Sequence, residues 1–525
     1  MKQKIVKKFI MQSKGLWKII GASSLGTLIE WYDFYIFGSL ATVISLKFFP
    51  ANNPSAAFLA TLATFAAGFI VRPFGALFFG RLGDLIGRKY TFTVTLLLMG
   101  CATFLIGCIP SYESIGVWAP ILVLVLRLLQ GLALGGEYGG AATYVAEHAP
   151  SNKRGYWTSW IQTTATIGLF VSLIVIMLTR MALSQEEFND WGWRVPFWMS
   201  ILLVAVSYFI RKKMGESPLF ESLKAEGSVS KNPLKESFGN KDNFKFVLLA
   251  LFGATMGQGV IWYTGQFYAM NFIEKICFVD KMQSDVLIAI ALLMGTPFFI
   301  VFGALSDKIG RKKIMLAGML LATLCYRPIY EKMYQTISVK NKIEVLAKQI
   351  KSSSLNKTLE TKTIDSVQTI NSFYTDGTEK MEIITIHLNT EGEKLINSKK
   401  ESKISIKINN NDKWILIMLV FIQVLFVAMV YGPIAAFLVE LFPTKIRYTS
   451  MSLPYHIGNG VFGGLLPAVA VYMSSKANDA NTFAAAQGEI LPYDKPYLEG
   501  LWYPIILSAI CFIIGLVYIN SKTKN

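Results

Sequence analysis

Long apolar runs alternate with short polar segments along almost the whole chain. An α-helix needs about twenty apolar residues to cross the hydrocarbon core of a bilayer, and each run approaches or exceeds that length. The runs predict twelve transmembrane helices at 17–47, 56–80, 90–110, 117–147, 156–180, 194–212, 244–272, 283–304, 313–330, 413–442, 448–473 and 498–520. We therefore predict an all-α membrane protein whose twelve helices form two six-helix bundles.

Two longer polar segments divide the chain. Residues 213–243 are polar, with Pro and Gly, and predict a cytoplasmic linker. The linker separates an N-terminal bundle at 1–212 from a C-terminal bundle at 244–331 and 413–525. Residues 332–412 interrupt the C-terminal bundle between the ninth and tenth helices, so the topology predicts an extracytoplasmic insertion.

The insertion has a pattern of its own. Apolar residues recur at helical spacing from Val339 to Lys351 and predict a helix. Residues 381–388 and 402–408 alternate like strands, and 363–373 form a third candidate strand. We predict a small α+β domain, which either has a role of its own or is a decoration without a role in transport.

A short polar loop occurs twice between apolar runs. Residues 80–89 and 303–312 both read G-x-L-x-D-x-x-G-R-K. A transporter built from two parallel structural repeats would show such a duplication.

A second set of residues repeats with a constant offset of 293 positions (431 − 138). The pairs are Tyr138 and Tyr431, Glu147 and Glu440, Pro150 and Pro443, and Arg154 and Arg447. The duplicated loop has an offset of 223 (307 − 84), so 70 residues (293 − 223) are added between Lys312 and Tyr431. This addition agrees with the position of the insertion.

The charge is distributed as in a membrane protein. Of the 525 residues, 53% are hydrophobic and 16% are charged, and the formal net charge is +17. A soluble protein would be nearer a quarter charged. Basic residues cluster in alternate segments, at the N-terminus and in 80–89, 211–213 and 308–313, whereas 48–55 has none. This asymmetry predicts that both termini are cytoplasmic, and we expect no nucleic-acid partner.

The residues of enzymes and metal sites are not arranged for chemistry. The five cysteines and three histidines are dispersed without metal-ligand spacing. The loop at 80–89 lacks the order of a phosphate-binding loop, and no nucleophile–base set is present. We expect no catalytic residue, no metal, no cofactor and no enzyme activity.

Two carboxylates lie deep within the first predicted helix. Counted from Lys18, Glu30 is about 18 Å along the helix axis, and Asp33 follows on the same face. Ionisable groups within membrane helices are functional candidates, and two close carboxylates in a low dielectric medium disfavour ionising together. We predict that Glu30 and Asp33 carry protons; the alternative is a permanent ion pair with an arginine that fixes helix packing.

Two arginines are the natural partners of these carboxylates. Arg72 precedes Pro73 in the second helix, and Arg127 lies about 15 Å into the fourth. At this depth an arginine needs a carboxylate from the protein or the substrate. We predict that Arg127 and Glu137 take part in proton coupling and that Arg72 and Arg127 bind substrate. A structural ion pair is the alternative for Arg127.

Uncharged polar and aromatic residues complete the predicted substrate site. Gln258, Trp262 and Gln266 recur every four residues in the seventh helix, so they would face one cavity. Tyr263 lies beside them, and Gln162 belongs to the fifth helix.

Charged residues at the predicted cytoplasmic ends of the helices occur in duplicate. We predict that pairs among them close the inner side of a transporter and part when the site opens inward. The predicted gate residues are Asp84, Arg88, Glu147, Arg154, Asp307, Arg311, Glu440 and Arg447. Their place at helix ends favours gating over catalysis, and the alternative for some of them is a role in topology alone.

Six further motifs lie in or beside the predicted helices. They are EWYDF at 30–34, RPxG at 72–75, RxxQG at 127–131, GGEYGG at 135–140, WRVPF at 193–197 and GQGVIWYTGQFY at 257–268. Together with the duplicated loops, they resemble the metabolite:proton symporter family of the major facilitator superfamily. The resemblance covers nearly the whole chain except 332–412.

The resemblance implies the major facilitator fold and proton symport by alternating access in the inner (cytoplasmic) membrane. Members of that family import carboxylates such as 2-oxoglutarate, citrate and shikimate, or osmolytes such as proline and glycine betaine. Osmosensing members often end in a coiled coil, whereas little chain and no heptads follow Tyr518 here. We therefore favour an organic acid, with the osmolyte as the alternative, and we expect a monomer.

Two other interpretations remain open. A drug/proton antiporter of the same fold would usually have a Gly-Pro-rich motif in the fifth helix, whereas 157–177 contains no proline. A nutrient sensor would use the transporter body to signal that the insertion has bound a ligand.

Overall fold

The computed structural model describes residues 2–50, 54–358, 363–388 and 401–519. Within these ranges, twelve long helical segments follow one another in the predicted order. They are α1 (Lys2–Ser39, continued by Ala41–Phe48), α2 (Pro54–Ile70 and Arg72–Leu85), α3 (Arg88–Ile106), α4 (Trp118–His148), α5 (Arg154–Gln162 and Thr164–Ala182), α6 (Val195–Lys212), α7 (Lys241–Ile276), α8 (Lys281–Ile309), α9 (Arg311–Ile337), α10 (Asn410–Tyr431 and Ile434–Leu441), α11 (Arg447–His456, Ile457–Gly463 and Leu466–Gln487) and α12 (Trp502–Tyr518).

Ten of these segments are long and apolar enough to cross a membrane. The other two, α1 and α9, occupy the two remaining predicted positions. The predicted all-α membrane fold is confirmed. Because α9 starts beside Asp307 and ends beside the insertion, the molecule has two distinct ends. We call the end that carries Asp84 and Asp307 the charged end, and the opposite end the insertion end.

The helix α7 is irregular. Three π-helical turns interrupt it, at Leu251–Thr255, Thr264–Tyr268 and Phe272–Ile276. Such turns are rare and are found frequently at functional sites. Each one changes the direction in which the following side chains of α7 point.

The insertion forms a four-stranded antiparallel sheet in the order β1-β2-β3-β4. The strands are β1 (Ile350–Thr358), β2 (Thr363–Phe373), β3 (Glu379–Leu388) and β4 (Glu401–Lys407). The three strands predicted at 363–373, 381–388 and 402–408 are confirmed.

The helix predicted for 339–351 is wrong. The chain forms only 3-10 turns, at Val339–Asn341 and Leu346–Lys348, before β1 begins. The apolar side chains that set the helical spacing are exposed, Ile343 by 72% and Leu346 by 74%. A helix here would have no apolar surface to pack against, and packing of an apolar face is the main source of helix stability in proteins.

The backbone of this segment pairs with the sheet instead. The amide of Val345 donates to the carbonyl of Phe373 at 2.7 Å, and the amide of Thr375 donates to the carbonyl of Ile343 at 3.0 Å. In its described residues, the insertion is therefore a β domain with short 3-10 turns, and the helical part of the predicted α+β domain is absent.

A polar clasp fixes the root of the insertion. Lys342 donates hydrogen bonds to Asp376 and Thr378, both at 2.7 Å, and to Asp412 at 2.5 Å. The side-chain amide of Asn409 donates to the same three side chains. Partial burial opposes the charge of Lys342, but the hydrogen bonds to Asp376 and Asp412 outweigh it and raise the pKa of Lys342. Lys342, near the beginning of the insertion, and Asn409, near its end, are thus tied to the start of α10.

Candidate functional site

A chain of hydrogen bonds crosses the N-terminal bundle from α1 to α4. Thr103 of α3 donates to Asp33, and the side-chain amide of Gln130 donates to Thr103 at 2.5 Å. Arg127 donates to the side-chain oxygen of Gln130 at 2.8 Å. All four side chains are buried. Asp33 and Arg127 are therefore connected through two uncharged residues, of which the sequence analysis did not consider Thr103.

The carboxylate of Asp33 is only partly satisfied. Its Oδ2 accepts from Thr103, whereas its Oδ1 has no hydrogen-bond partner among the described residues. No cation of those residues forms an ion pair with it within 4.0 Å. A buried charged carboxylate without a close cation is costly. A neutral, protonated Asp33 avoids this cost, so the position suits a group that gains and loses a proton.

Glu30 lies beside a small cavity between the two bundles. The cavity has a volume of about 10 Å³, far below the roughly 300 Å³ at which ligand pockets begin. Its lining residues are Thr27, Glu30, Trp31, Tyr138, Ile161, Gln162, Thr164, Tyr431 and Tyr455. The structure is therefore closed around the site, and of the predicted substrate residues only Gln162 lines the cavity in this state.

Three tyrosines meet at this cavity in a symmetric arrangement. Tyr138 of α4 stacks on Tyr455 of α11 with ring centroids 3.7 Å apart. Gln162 donates to the hydroxyl of Tyr138 at 2.8 Å, and the hydroxyls of Tyr431 and Tyr455 are 2.7 Å apart. The 293-residue offset relates Tyr138 to Tyr431 and also Gln162 to Tyr455. Tyr455 is not among the residues predicted from the sequence, although applying the offset to Gln162 identifies it.

Glu137 belongs to a buried ion pair of the N-terminal bundle. Arg211 of α6 contacts one of its oxygens at 2.8 Å, and Thr95 of α3 donates to the other at 2.7 Å. Arg211 also lies over the ring of Phe92, 3.4 Å from the centroid. Both partners are 1% exposed, so Arg211, which belongs to the basic segment 211–213, is a buried side chain. Proton coupling by Glu137 stays a prediction, and its geometry is that of a packing ion pair.

Gly26 of α1 leaves room for this ion pair. A Cβ atom there would lie 1.7 Å from a guanidinium nitrogen of Arg211 and 2.2 Å from Oε1 of Glu137. We expect Gly26→Ala to break the pair and to lower the free energy of unfolding by about 3–5 kcal/mol. Thermal unfolding of the purified protein in detergent measures the effect. Gly21→Ala is the matched control on the same helix, since no heavy atom lies within 4 Å; equal losses in both variants would contradict the prediction.

The α7 residues that were predicted to bind substrate contact α1 and α11 and do not line the cavity. Trp262 packs on Trp31 of α1 with ring centroids 5.0 Å apart, and its indole N–H has no partner among the described residues. Gln258 exchanges two hydrogen bonds with Asn459 of α11, at 3.0 and 2.9 Å. Gln266, one helical turn beyond Trp262, is also buried.

Arg72 and Tyr263 lie close to the same region. The guanidinium of Arg72 stacks on Phe69 at 4.2 Å and interacts electrostatically with Glu30 and Tyr263. Its buried Nε has no hydrogen-bond partner in the described part of the chain. Arg72 therefore keeps a donor for which these residues supply no acceptor. Arg127 lies behind Gln130 and does not line the cavity.

At the charged end, Asp84 joins the two bundles. Its carboxylate accepts hydrogen bonds from the backbone amides of Tyr448 (3.3 Å) and Thr449 (2.8 Å) at the start of α11. Arg88 contacts the same carboxylate at 3.1 Å. An aspartate at the end of α2 thus caps the first turn of a helix in the other bundle.

The second copy of the loop makes the equivalent contacts. Asp307 accepts from the backbone amides of Gly155 and Tyr156, both at 2.8 Å, and pairs with Arg311 at 2.6 Å. Gly155 and Tyr156 precede Tyr448 and Thr449 by 293 positions. The sequence repeat therefore corresponds to a repeated closure between the bundles.

The two copies differ in how tightly they close. Glu147 is fully buried and contacts Arg88 at 3.4 Å and Arg447 at 2.9 Å. Its counterpart Glu440 is 18% exposed and contacts Arg311 at 2.9 Å. Arg154 donates to the carbonyl of Ala146 at 3.2 Å and has no carboxylate within 4.0 Å among the described residues. Of the predicted gate residues, all but Arg154 thus form charged pairs.

The linker adds a further contact to the tighter copy. Glu216 accepts hydrogen bonds from the backbone amides of Arg88 (3.2 Å) and Lys89 (3.1 Å), which begin α3. Ser217 donates to Glu147. The ring of Phe220, in the helix Pro218–Ala225, covers the guanidinium of Arg88 at 4.5 Å. The polar pattern of 213–243 predicts only a linker and does not indicate these contacts.

Residues 19–243 and 219–348 match the family described as "Sugar (and other) transporter". In the solved structure of the proton:xylose symporter XylE of the major facilitator superfamily, 98% of each chain superimposes with a TM-score of 0.65 at 15% identity. The similarity of the structures establishes the major facilitator fold.

Three curated relatives come from Escherichia coli (strain K12). The proline/betaine transporter is 36% identical over 318 residues, which cover 59% of this chain and 63% of the relative. The shikimate transporter is 35% identical over 314 residues, with 59% and 70% covered. The alpha-ketoglutarate permease is 27% identical over 512 residues, with 97% and 95% covered. The chain thus spans less than two thirds of the length of the proline/betaine transporter.

Proposed function

Because the chain belongs to the sugar (and other) transporter family and has the major facilitator fold, we propose that it is a secondary active transporter. It imports a small carboxylate-bearing metabolite together with protons, and it works by alternating access. The relatives described above are named as transporters of proline and betaine, of alpha-ketoglutarate and of shikimate, and they support the proposal.

The observation that carries the proton-coupled mechanism is the state of Asp33. This carboxylate is buried, is hydrogen-bonded on one oxygen only, and has no cation within 4.0 Å in the described part of the chain. Glu30 lies one turn earlier on α1 and lines the central cavity. A carboxyl group in this position carries a proton through the membrane and releases it when the charged end opens.

The substrate carboxylate binds to Arg72. Its stacked guanidinium offers a buried donor close to Glu30 and Tyr263. A buried guanidinium nitrogen without an acceptor among the described residues is suited to a carboxylate ligand, which an arginine can bind through two parallel hydrogen bonds. Gln162, Gln258, Trp262 and Gln266 complete the site when the cavity enlarges, and Arg127 holds the hydrogen-bond chain to Asp33.

The charged end is the inner gate, and the insertion end is external. The charged pairs at Asp84 and Asp307 hold both bundles together in this structure, which supports a state closed on that side. Basic loops at the charged end support a cytoplasmic position for this end and for both termini. The protein is a monomer of the cytoplasmic membrane, and protons, lipid and the small metabolite are its partners.

A zwitterionic osmolyte is the second candidate substrate, because the cavity is unusually aromatic. Trp31, Tyr138, Tyr431 and Tyr455 line it beside the carboxylate of Glu30. Aromatic faces and a carboxylate together stabilise a methylated ammonium group. Proline or betaine would then bind with its carboxylate at Arg72 and its cation among these rings.

External pH in a lightly buffered suspension of de-energised cells expressing the protein tests the proposal. We expect alkalinisation when 2-oxoglutarate, citrate or shikimate is added, because proton symport removes protons from the medium. Alkalinisation by proline or betaine alone would select the osmolyte. Cells expressing Arg72→Gln serve as the control and should give no signal. If the protein is in the membrane and no compound changes the pH, the proton-symport proposal fails for these classes, and the sensor hypothesis gains weight.

A further inference from the structure

The insertion is bonded to the loop between α7 and α8 through the backbone of β4. The amide of Ile406 donates to the carbonyl of Phe278 at 2.7 Å, and the amide of Asp280 donates to the carbonyl of Ile406 at 2.9 Å. Val279 and Ile406 form a parallel β-bridge. One edge of the inserted sheet is therefore continued by the loop that ends α7.

A side chain of α8 makes a second connection. Gln283 accepts a hydrogen bond from the amide of Ile408 at 2.9 Å and donates one to the carbonyl of Ile408 at 3.3 Å. Asp280 caps the same first turn of α8 by accepting from the amide of Gln283. Two successive edge positions of the insertion, Ile406 and Ile408, are thus held by the α7–α8 loop and the start of α8.

The segment held in this way is conformationally unusual. Phe278 has a φ of 59°, and it is the only described residue other than glycine with a positive φ. The left-handed region is unfavourable for a bulky L-residue. Phe278 lies two residues after the last π turn of α7, Phe272–Ile276, so the bridge to Ile406 stabilises a strained end of α7.

The helix α7 also contacts α1 across the two bundles. Trp262 packs on Trp31 with ring centroids 5.0 Å apart, and Phe267 packs on Phe34 at 5.9 Å. Phe267 lies within the middle π turn of α7, Thr264–Tyr268. The position of the outer half of α7 therefore decides how closely the bundles approach on the side of the insertion.

We propose that Ile406 and Gln283 are positioning residues of the transport machinery, through which the insertion fixes the outer end of α7 and favours closure over the central cavity. This inference rests on the proposed alternating access and on the proposed external position of the insertion. It gives the insertion a role in the transport cycle that a decoration would not have.

The test removes one hydrogen bond of the bridge. Proline at position 406 lacks the amide that donates to Phe278, while the ladder to β3 uses the neighbouring residues of β4. Phe267→Cys, in a background without the five native cysteines, reports opening through its rate of labelling by a membrane-impermeant maleimide from outside. Every variant and the parent carry this change, so the loss of the Phe267–Phe34 contact is common to all of them, and the contact of Trp262 with Trp31 still joins α7 to α1. We expect Ile406→Pro to raise that rate about fivefold, the change in equilibrium that the loss of one net hydrogen bond produces.

Two matched variants make the result specific. Ile404→Pro changes the same edge of β4 two residues earlier, where no hydrogen bond to the loop is present among the described residues, and it should label at the parental rate. Ile406→Val keeps the amide and should also label at the parental rate. Gln283→Ala, which leaves the whole backbone intact, should raise the rate in the same direction as Ile406→Pro.

The outcomes separate this inference from the proposed function. Labelling is measured without substrate, so it does not depend on which metabolite is carried. Equal labelling of Ile406→Pro, Gln283→Ala and Ile404→Pro would overturn the inference even if symport is demonstrated. Faster labelling of the first two alone would support it even if no tested compound is transported.

Discussion

Asp33→Asn is expected to abolish accumulation of substrate against its gradient and to leave exchange of labelled for unlabelled substrate intact. Asparagine keeps an oxygen that accepts from Thr103, so the hydrogen-bond chain to Arg127 survives. The amide cannot carry a proton, so the coupling is lost. Each unit of pH difference across the membrane supplies about 1.4 kcal/mol per proton whatever the charge of the substrate, so the accumulation ratio should fall about tenfold per unit. Accumulation and counterflow in right-side-out vesicles measure the two quantities.

Asp190→Asn is the matched control for this experiment. Asp190 is 82% exposed and lies 3.5 Å from Lys47 in a surface pair, so its change should leave both accumulation and exchange at the parental level. Parental accumulation in Asp33→Asn would remove this residue from the coupling mechanism and leave Glu30 as the candidate. Loss of exchange together with accumulation would mean that Asp33 serves binding or packing rather than coupling.

The sequence repeat predicted much of the charged end. Because Asp84 and Asp307 occupy equivalent loops, a contact of one implies a contact of the other, and the structure shows both capping a helix of the opposite bundle. The same arithmetic relates Gln162 to Tyr455 at the central cavity. An internal repeat of this kind reports on three-dimensional neighbours because equivalent residues occupy equivalent places in the two bundles.

The sequence pattern does not predict which way a single charged side chain at a helix end points. Arg211 is followed by Lys212 and Lys213, which are exposed, so its charge suggested a cytoplasmic cluster. In the structure its guanidinium turns back into the bundle toward Glu137. The direction of a long side chain depends on a partner distant in sequence, which the local pattern does not contain. The gap left by Gly26 is visible only once α1 and α6 are packed.

The insertion shows the limit of periodicity as a signal. The apolar side chains at 339–351 have helical spacing, but they have no surface to pack against. Backbone hydrogen bonds to β2 fix the conformation of this segment instead. The strands at 363–373 and 381–388 were predictable because β-branched residues and alternation agree there. Which edge of the sheet meets the α7–α8 loop could not be predicted, since that contact joins Ile406 to Phe278, far apart in the chain.

The internal repeat also supplies a matched pair for the last prediction, Glu147→Gln against Glu440→Gln. Glu147 is fully buried between Arg88 and Arg447, so neutralising it leaves Arg88 with Asp84 alone and leaves Arg447 with no carboxylate within 4.0 Å among the described residues. Breaking a buried pair in this way costs about 3–5 kcal/mol. Glu440 is 18% exposed and pairs with Arg311 alone, and a pair with access to water is worth at most about 1 kcal/mol.

These energies act on the equilibrium between the closed and open charged end, because the arginines regain water when the bundles part. Thr143 lies one turn from Glu147, and its side chain is fully buried against Met451. The labelling rate of Thr143→Cys in inside-out vesicles therefore reports that opening. We expect Glu147→Gln to raise the rate by more than a hundredfold and Glu440→Gln by less than about fivefold. Equal effects would show that the two copies close the transporter with equal strength, so that the burial of the first copy and its contact with Ser217 add nothing to the gate.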